Sequence, residues 1–179
     1  MPFPKTWVEE LIIEWLHLKG FLVEANLPVS TTKAGGRLEV DVVGAKLVGT
    51  TLEIIHVETG QLSGGTEGIK AIGKKFSSVV YYSLLNYFSQ KLSSGGYRVN
   101  YKKVYIATYW TKPTIDQLRG LGIDVRTLPD FICNEVLPSI DKWKQNPPHH
   151  PKGRATLPES FWLLQLLDSL KDKGMLKCT

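Results

Sequence analysis

The sequence predicts an α/β protein, with a mixed central β-sheet flanked by helices and elements in the order αβββαβαβ. Three observations carry this. Helical periodicity opens the chain and recurs in its middle and near its end. Short runs of alternating or β-branched residues stand between the helical segments. Finally, a strand–short helix–strand unit over residues 103–128 requires its two strands to run parallel.

Thr6 and Glu9 form a T-x-x-E capping box, in which each side chain satisfies a free backbone N–H of the first turn. Trp7, Val8, Leu11, Ile12, Trp15 and Leu16 then recur at helical spacing, and Gly20 ends the helix. Phe21-Leu-Val-Glu begins a first strand, and residues 28–36 read as a Ser, Thr and Gly loop. Leu38-Glu-Val-Asp-Val-Val alternates, placing Leu38, Val40 and Val42 on one face and Glu39 and Asp41 on the other. Leu52 to Thr59 is the next strand, with Ile54, His56 and Glu58 on one side. If these two strands pair as a hairpin, Asp41, His56 and Glu58 converge. Such a group is costly to bury without a cation.

A long helix is expected over residues 66–92, on the stripe Ile69, Ile72, Phe76, Val79, Val80, Leu84, Tyr87 and Phe88. Lys103-Val-Tyr-Ile-Ala-Thr-Tyr is a buried strand, Thr114 caps a short helix, and Ile123-Asp-Val-Arg-Thr-Leu is a further strand. Asp130 caps a helix running toward Trp143. Residues 146–157 are a Pro-rich linker by composition. They separate a main domain, 1–145, from a C-terminal apolar helix, 158–179, for which Thr156 and Glu159 supply a second capping box. That helix is apolar around most of its circumference and should pack on the core or on a second subunit.

A chain of 179 residues with 42% hydrophobic and 22% charged residues is long enough to bury a core as one domain. No apolar run approaches the ~20 residues of a membrane span, so no membrane partner is expected. The opening Met1-Pro-Phe-Pro-Lys lacks a secretory pattern, and an intracellular, cytoplasmic location is expected. With Cys133 and Cys178 as the two cysteines, neither a disulfide framework nor a cysteine zinc site is expected.

The net charge of +5 is unevenly spread: residues 1–65 carry −3, residues 66–112 carry +7 and residues 113–179 carry +1. A polyanion would be drawn to the middle segment and a divalent cation to the carboxylates ahead of it.

The order of elements resembles the PD-(D/E)XK, or restriction-endonuclease-like, nuclease superfamily, and within it the small archaeal Holliday-junction resolvases. Four phrases carry the likeness, together with the helix at 66–92. They are Glu39-Val-Asp41-Val-Val-Gly44, Leu52-Glu-Ile-Ile-His56-Val-Glu58-Thr-Gly60, Val104-Tyr-Ile-Ala-Thr108 and Leu118-Arg-Gly-Leu-Gly-Ile-Asp-Val125. The resemblance spans roughly residues 6–137. It implies a restriction-endonuclease-like core, a divalent metal (Mg²⁺ or Mn²⁺), DNA as substrate and a homodimer. In such enzymes the metal generates hydroxide near neutral pH and neutralises charge in the transition state.

By the resemblance, Asp41 falls on the metal-binding Asp, His56 on the (D/E) position and Glu58 on the lysine position. The chain thus reads His-Val-Glu where Glu-Val-Lys is expected. Some members carry Glu in place of the lysine. Imidazole suits transition metals better than Mg²⁺, so Asp41, His56 and Glu58 as ligands favour Mn²⁺, with Glu10 or Glu14 of the first helix adding a carboxylate. Lys70 or Lys74 would supply the missing positive charge, and Lys70 joins Asp41, His56 and Glu58 in the catalytic set. Lys70, Lys74, Lys75, Arg98, Lys102 and Lys103 would grip phosphates. The expected activity is metal-dependent hydrolysis of DNA phosphodiesters. A catalytically degenerate nucleic-acid-binding protein on the same fold is the alternative, and a protein that assembles through its C-terminal helix is a third reading.

Overall fold

Residues 4–31, 37–62, 65–92, 96–147 and 156–178 are described by the computed structural model. Helix α1 (Trp7–Leu18) starts at the Thr6 capping box, whose hydroxyl accepts from the Glu9 amide at 3.2 Å. Strands β1 (Leu22–Thr31), β2 (Arg37–Val48) and β3 (Thr51–Gln61) follow, then helices α2 (Gly65–Lys75) and α3 (Ser78–Lys91). Strand β4 (Arg98–Tyr109), helix α4 (Lys112–Gly120) and strand β5 (Asp124–Thr127) complete the sheet. The chain then runs through α5 (Leu128–Phe131), a π-helical turn (Ile132–Val136), α6 (Leu137–Gln145) and α7 (Trp162–Asp172).

The sheet has five strands in the order β1-β2-β3-β4-β5. The first three pair antiparallel, and β4 and β5 add parallel, so the sheet is mixed and flanked by helices, as the sequence predicts. One face packs Val42, Ile55, Val57, Val104 and Ile106 against α1, α5, α6 and α7. The other carries two apolar clusters, one under α3 around Leu84 and Phe88, the other under α4 around Tyr105 and Leu118. Gly44 lets α1 approach closely: a Cβ there would lie 3.1 Å from a methyl of Leu16 and 3.2 Å from Phe21.

Several elements differ from expectation. The helix expected over 66–92 is two. Phe76 leaves the α2 path to pack its ring against His56, at 4.5 Å between centroids, and the extended Ser77 (φ −67°, ψ 164°) starts α3. The loop expected over 28–36 is strand through Thr31, with residues 32–36 outside the described residues. The alternation in β2 slips by one at Asp41: Leu38 and Val40 pack under α3, together with Val43 and Ala45, while Val42 faces α1. The cause lies across the ladder. Asn26 stands opposite Asp41, between the pairs Ala25–Val42 and Leu27–Val40, and holds a left-handed backbone (φ 49°). The helix expected from Asp130 begins at Leu128, because Thr127 takes the cap and accepts from the Asp130 amide.

The C-terminal helix begins at Trp162, not at the Thr156–Glu159 box. Glu14 of α1 substitutes for that cap. Its carboxylate, 2% exposed, accepts from the backbone amides of Leu163 and Leu164 at 3.2 and 2.9 Å, countering the positive end of the helix dipole. Leu163 and Leu164 are buried in the α1-side core. Of the linker expected over 146–157, residues 148–155 lie outside the described residues. Cys133 and Cys178 form a disulfide that ties the C-terminal segment to the π-helical turn, correcting the expectation from composition. Two cysteines are too few for a framework, yet the fold brings their Cα atoms to 5.5 Å. No helix among the described residues is long and apolar enough to cross a membrane.

The disulfide closes a long loop, with a sequence separation of 45, and so restricts the unfolded chain. Reduction, or Cys178→Ala, should cost on the order of 2–4 kcal/mol, read as a lower denaturation midpoint. Glu14→Ala should remove a further 1–3 kcal/mol or so by leaving buried amides unpaired. Unchanged midpoints would show that α7 adds nothing to the fold.

Candidate functional site

Three neighbouring elements build the constellation. The β2–β3 ladder pairs Val42 with Val57 and Val43 with His56, which sets Asp41 beside Glu58. The Thr59 amide donates to Asp41 Oδ2 at 2.9 Å, and the Asp41 amide points at Glu58 Oε1 at 3.4 Å. Helix α2 brings Lys75 over both: its Nζ lies 3.0 Å from Asp41 Oδ1 and forms a short ion pair with Glu58 Oε2. Strand β4 places Tyr101 behind His56. The Tyr101 hydroxyl lies 2.7 Å from His56 Nδ1, and His56 Nε2 lies 2.8 Å from Glu58 Oε1.

His56 and Glu58 have no exposed surface. Burial, together with the charges of Lys75 and Lys103, holds His56 neutral, with its pKa lowered to about 3. Burial and the nearby Asp41 push Glu58 up to about 8, against the pull of Lys75. Burial works to lower the Lys75 pKa, but the carboxylates of Glu58 and Asp41 overcome it and hold it raised. Below about pH 8 a consistent proton arrangement has protonated Glu58 donating through Oε1 to His56 Nε2 and the His56 Nδ1–H donating to the Tyr101 hydroxyl, with Lys75 donating to Oε2.

Asp41, His56 and Glu58 are thus brought together, as the hairpin argument expected. Lys70 is not with them: it pairs with Glu67 at 2.9 Å on the exposed side of α2. Lys75 reaches the carboxylates instead. The expected continuous helix hid this, because Lys75 faces inward at the last turn of α2, where Phe76 leaves the helical path. Glu10 is half-buried and influences Glu14 one turn on. Another α1 acid, Glu9, reaches the strand next to Asp41: it accepts from the Lys5 amide at 2.7 Å and from Asn26 Nδ2 at 3.5 Å. Lys5 pairs with Glu39 at 2.6 Å, and Glu9 and Asp41 add to the raised pKa that this pairing gives it.

The expected phosphate contacts divide. Lys70, Lys74 and Lys103 line one groove of about 510 Å³ beside Phe76 and Ser77. Alternation along β4 sends Lys102 to the opposite face from Lys103, where it neighbours Lys19. Arg98 is exposed at the start of β4.

Among the described residues no group of three or more His, Cys, Asp and Glu is arranged to hold a metal ion. Two carboxylate oxygens, Asp41 Oδ1 and Glu58 Oε2, nevertheless converge on one cation, the Lys75 ammonium. Mg²⁺ is held by one or two carboxylates and keeps several waters, so this pair fits a hard divalent ion. His56 offers no free nitrogen in this arrangement, since both are hydrogen-bonded.

No family model matches the chain, and no curated protein matches it. Among solved structures, it is similar to the crystal structure of a repair endonuclease from Pyrococcus abyssi, at 17% identity and a TM-score of 0.38. The match covers 72% of this chain and 49% of the other, so the chain spans about half the length of that protein.

The buried pair makes stability depend on pH. The folded chain keeps His56 neutral down to about pH 3, while the unfolded imidazole takes up a proton below 6.5, so acidification from 6.5 costs stability. It keeps the Glu58 proton up to about pH 8, while the unfolded carboxyl releases it near 4.5, so raising the pH across that range also costs stability. The slopes cancel between 4.5 and 6.5. In metal-free buffer the melting temperature should be level there and fall on both sides. Lys75→Met should cost little near pH 4.5 and about 1–3 kcal/mol above pH 8, allowing for the ammonium's partial exposure. A cost independent of pH would remove Lys75 from the pair.

Proposed function

We propose that the chain is a metal-dependent DNA endonuclease of the restriction-endonuclease-like kind, with Asp41 and Glu58 as the metal-binding carboxylates and Lys75 as the lysine of the site. The observation that carries this is the convergence of two carboxylate oxygens, from adjacent strands, on one cation position supplied by α2, the helix whose Lys70 and Lys74 line a basic groove. When bound, a divalent ion would supply a hydroxide near neutral pH and charge neutralisation at the phosphate.

Every other role falls to the chain's own groups. With a metal ion held by Asp41 and Glu58, Lys75 would remain on α2 beside them, able to orient a water and to offset charge on the scissile phosphate. His56 fixes the Glu58 carboxylate through Nε2 and is itself fixed by Tyr101, so it acts as a positioning residue. Lys70, Lys74 and Lys103 hold the flanking phosphates in the groove, a contact that carries no sequence information.

On this assignment the acid of the Asp…Glu-x-Lys pattern is Glu58, and Gly60 occupies the lysine position. A side chain there would need the Tyr105 hydroxyl to give way, since a Cβ at Gly60 would lie 3.0 Å from it, on a backbone (φ 148°) that side chains rarely adopt. A homodimer, which would let two sites address two strands, belongs to the same proposal. Trp162 and Leu166 on the outer face of α7 are exposed and available to it.

A second reading, DNA binding without cleavage, is favoured by the fact that Lys75 already neutralises both carboxylates. Cleavage of supercoiled, linear and four-way-junction DNA with Mg²⁺ and with Mn²⁺ separates the two. Asp41→Ala, Glu58→Ala and Lys75→Ala should each lower cleavage at least about a hundredfold. Lys74→Glu and Lys103→Glu should weaken DNA binding and flatten its salt dependence by roughly one counterion each. Binding with no cleavage under either metal would support the second reading, and neither binding nor cleavage would refute both. Metal uptake should also release a proton near neutral pH, because Glu58 must ionise to take a cation. Calorimetric titration in buffers of different ionisation enthalpy reads this directly.

A further inference from the structure

On the face of the sheet opposite Lys75, where α1 ends against the π-helical turn and α6, lies a concavity of about 620 Å³. This is within the range of small-ligand sites. Lys19, Lys46 and Lys142 line it, from the end of α1, from β2 and from α6, together with Asn134, Trp143 and Asn146. Two of the ammonium groups are held against aromatic rings. Lys19 Nζ lies 4.3 Å from the Trp15 ring centroid and Lys46 Nζ 4.3 Å from that of Phe21. Lys46 has a loose ion pair with Glu53 at 3.6 Å, and burial lowers the pKa of Lys19. The one carboxylate on the wall, Glu135, is engaged by Arg126 in a short ion pair. The wall therefore presents an excess of positive charge from three separate elements. The π turn supplies Asn134 and Glu135, and such turns are frequent at functional sites.

We propose that this concavity binds a nucleoside monophosphate group, with the phosphate monoester among Lys19, Lys46 and Lys142 and the base against Trp143, where Asn134 and Asn146 offer amide donors and acceptors. A dianion matches the excess positive charge of three lysines lining one concavity, and an indole with two amides in the same lining suits a single base. The group can come from a free nucleotide or from the phosphorylated end of a nucleic-acid strand. The site is separate from the Asp41–Glu58 pair and does not rest on the nuclease reading.

The test is calorimetric titration with AMP, and with short single strands carrying either a 5′-phosphate or a 5′-hydroxyl. AMP should bind, and Lys142→Glu and Lys46→Glu should each weaken it at least about tenfold. Lys112→Glu, exposed at the start of α4 and outside the lining of this concavity, should leave it unchanged. Binding of the 5′-phosphorylated strand in preference to both AMP and the 5′-hydroxyl strand, lost in Lys142→Glu, would identify the strand end as the source. Lys142 and Lys46 lie at the surface rather than in the core, and unchanged melting of each variant would exclude misfolding. Trp143→Phe, which keeps an aromatic wall, should retain binding. No heat with AMP or with either strand, or binding insensitive to both lysine variants, would overturn the proposal.

Discussion

The geometry of this molecule depends on a carboxylate, Glu58, that has no exposed surface at the end of a central strand. A carboxyl group in that position is tolerated only with hydrogen-bond compensation and, once ionised, with charge compensation, and each compensating group fixes another element. The Asp41 amide lies within reach of the carboxylate, just beyond the β2–β3 ladder that sets the two side by side. Lys75 pairs with it, so α2 must end where the ammonium can turn inward, and Phe76 follows Lys75 into the interior against His56. His56 hydrogen-bonds to Glu58 Oε1 and is anchored in turn by Tyr101 on β4. Four elements are thereby tied to one side chain, and the break between α2 and α3 follows from the same requirement.

Helix α1 plays the corresponding part on the other face. Its apolar stripe packs on the sheet through the space left by Gly44, while its acids are divided between two tasks. Glu14 caps α7, a buried contact that joins the two ends of the chain, and Glu9 turns toward Asn26 on the strand next to Asp41. The disulfide and the Lys171–Asp141 and Lys144–Asp168 ion pairs hold α7 further along its length. Two acids five residues apart on one helix thus serve different sides, because at roughly 100° per residue they point about 140° apart.

The fold was largely legible in the sequence because it rests on local patterns. The capping box, the alternation of the hairpin strands and the strand–helix–strand unit each have a period or a turn signal that needs no tertiary information. The convergence of Asp41, His56 and Glu58 was legible for the same reason, since pairing two alternating strands leaves little choice of face. What escaped were consequences of long-range contacts. The slip at Asp41 depends on the left-handed backbone of Asn26 in the neighbouring strand. The start of α7 depends on a carboxylate about 150 residues away, since the Leu164 amide meets Glu14 at a separation of 150. The pairing of Cys133 with Cys178 depends on the path of a segment whose composition says only that it is linker-like. Lys75 escaped because the apolar stripe around it continues at helical spacing through a point where the backbone does not.

Placing the lysine on a helix instead of on the strand changes what it can do. A side chain two residues after Glu58 on β3 would be fixed by the ladder, and at Gly60 it would meet the Tyr105 hydroxyl at 3.0 Å from its Cβ. Lys75 instead reaches the carboxylates along a flexible stem from the end of α2, with about a third of its side chain exposed. Solvent is its alternative partner. It can therefore pair with both Asp41 and Glu58, and on the proposed function it would withdraw along that stem when a metal ion takes its place. On the proposed function, the amine keeps the site stable at rest and remains within reach of the reacting phosphate afterwards. The His-Val-Glu sequence then fits a division of labour in which the strand supplies the carboxylate and the imidazole that orients it, and the helix supplies the charge.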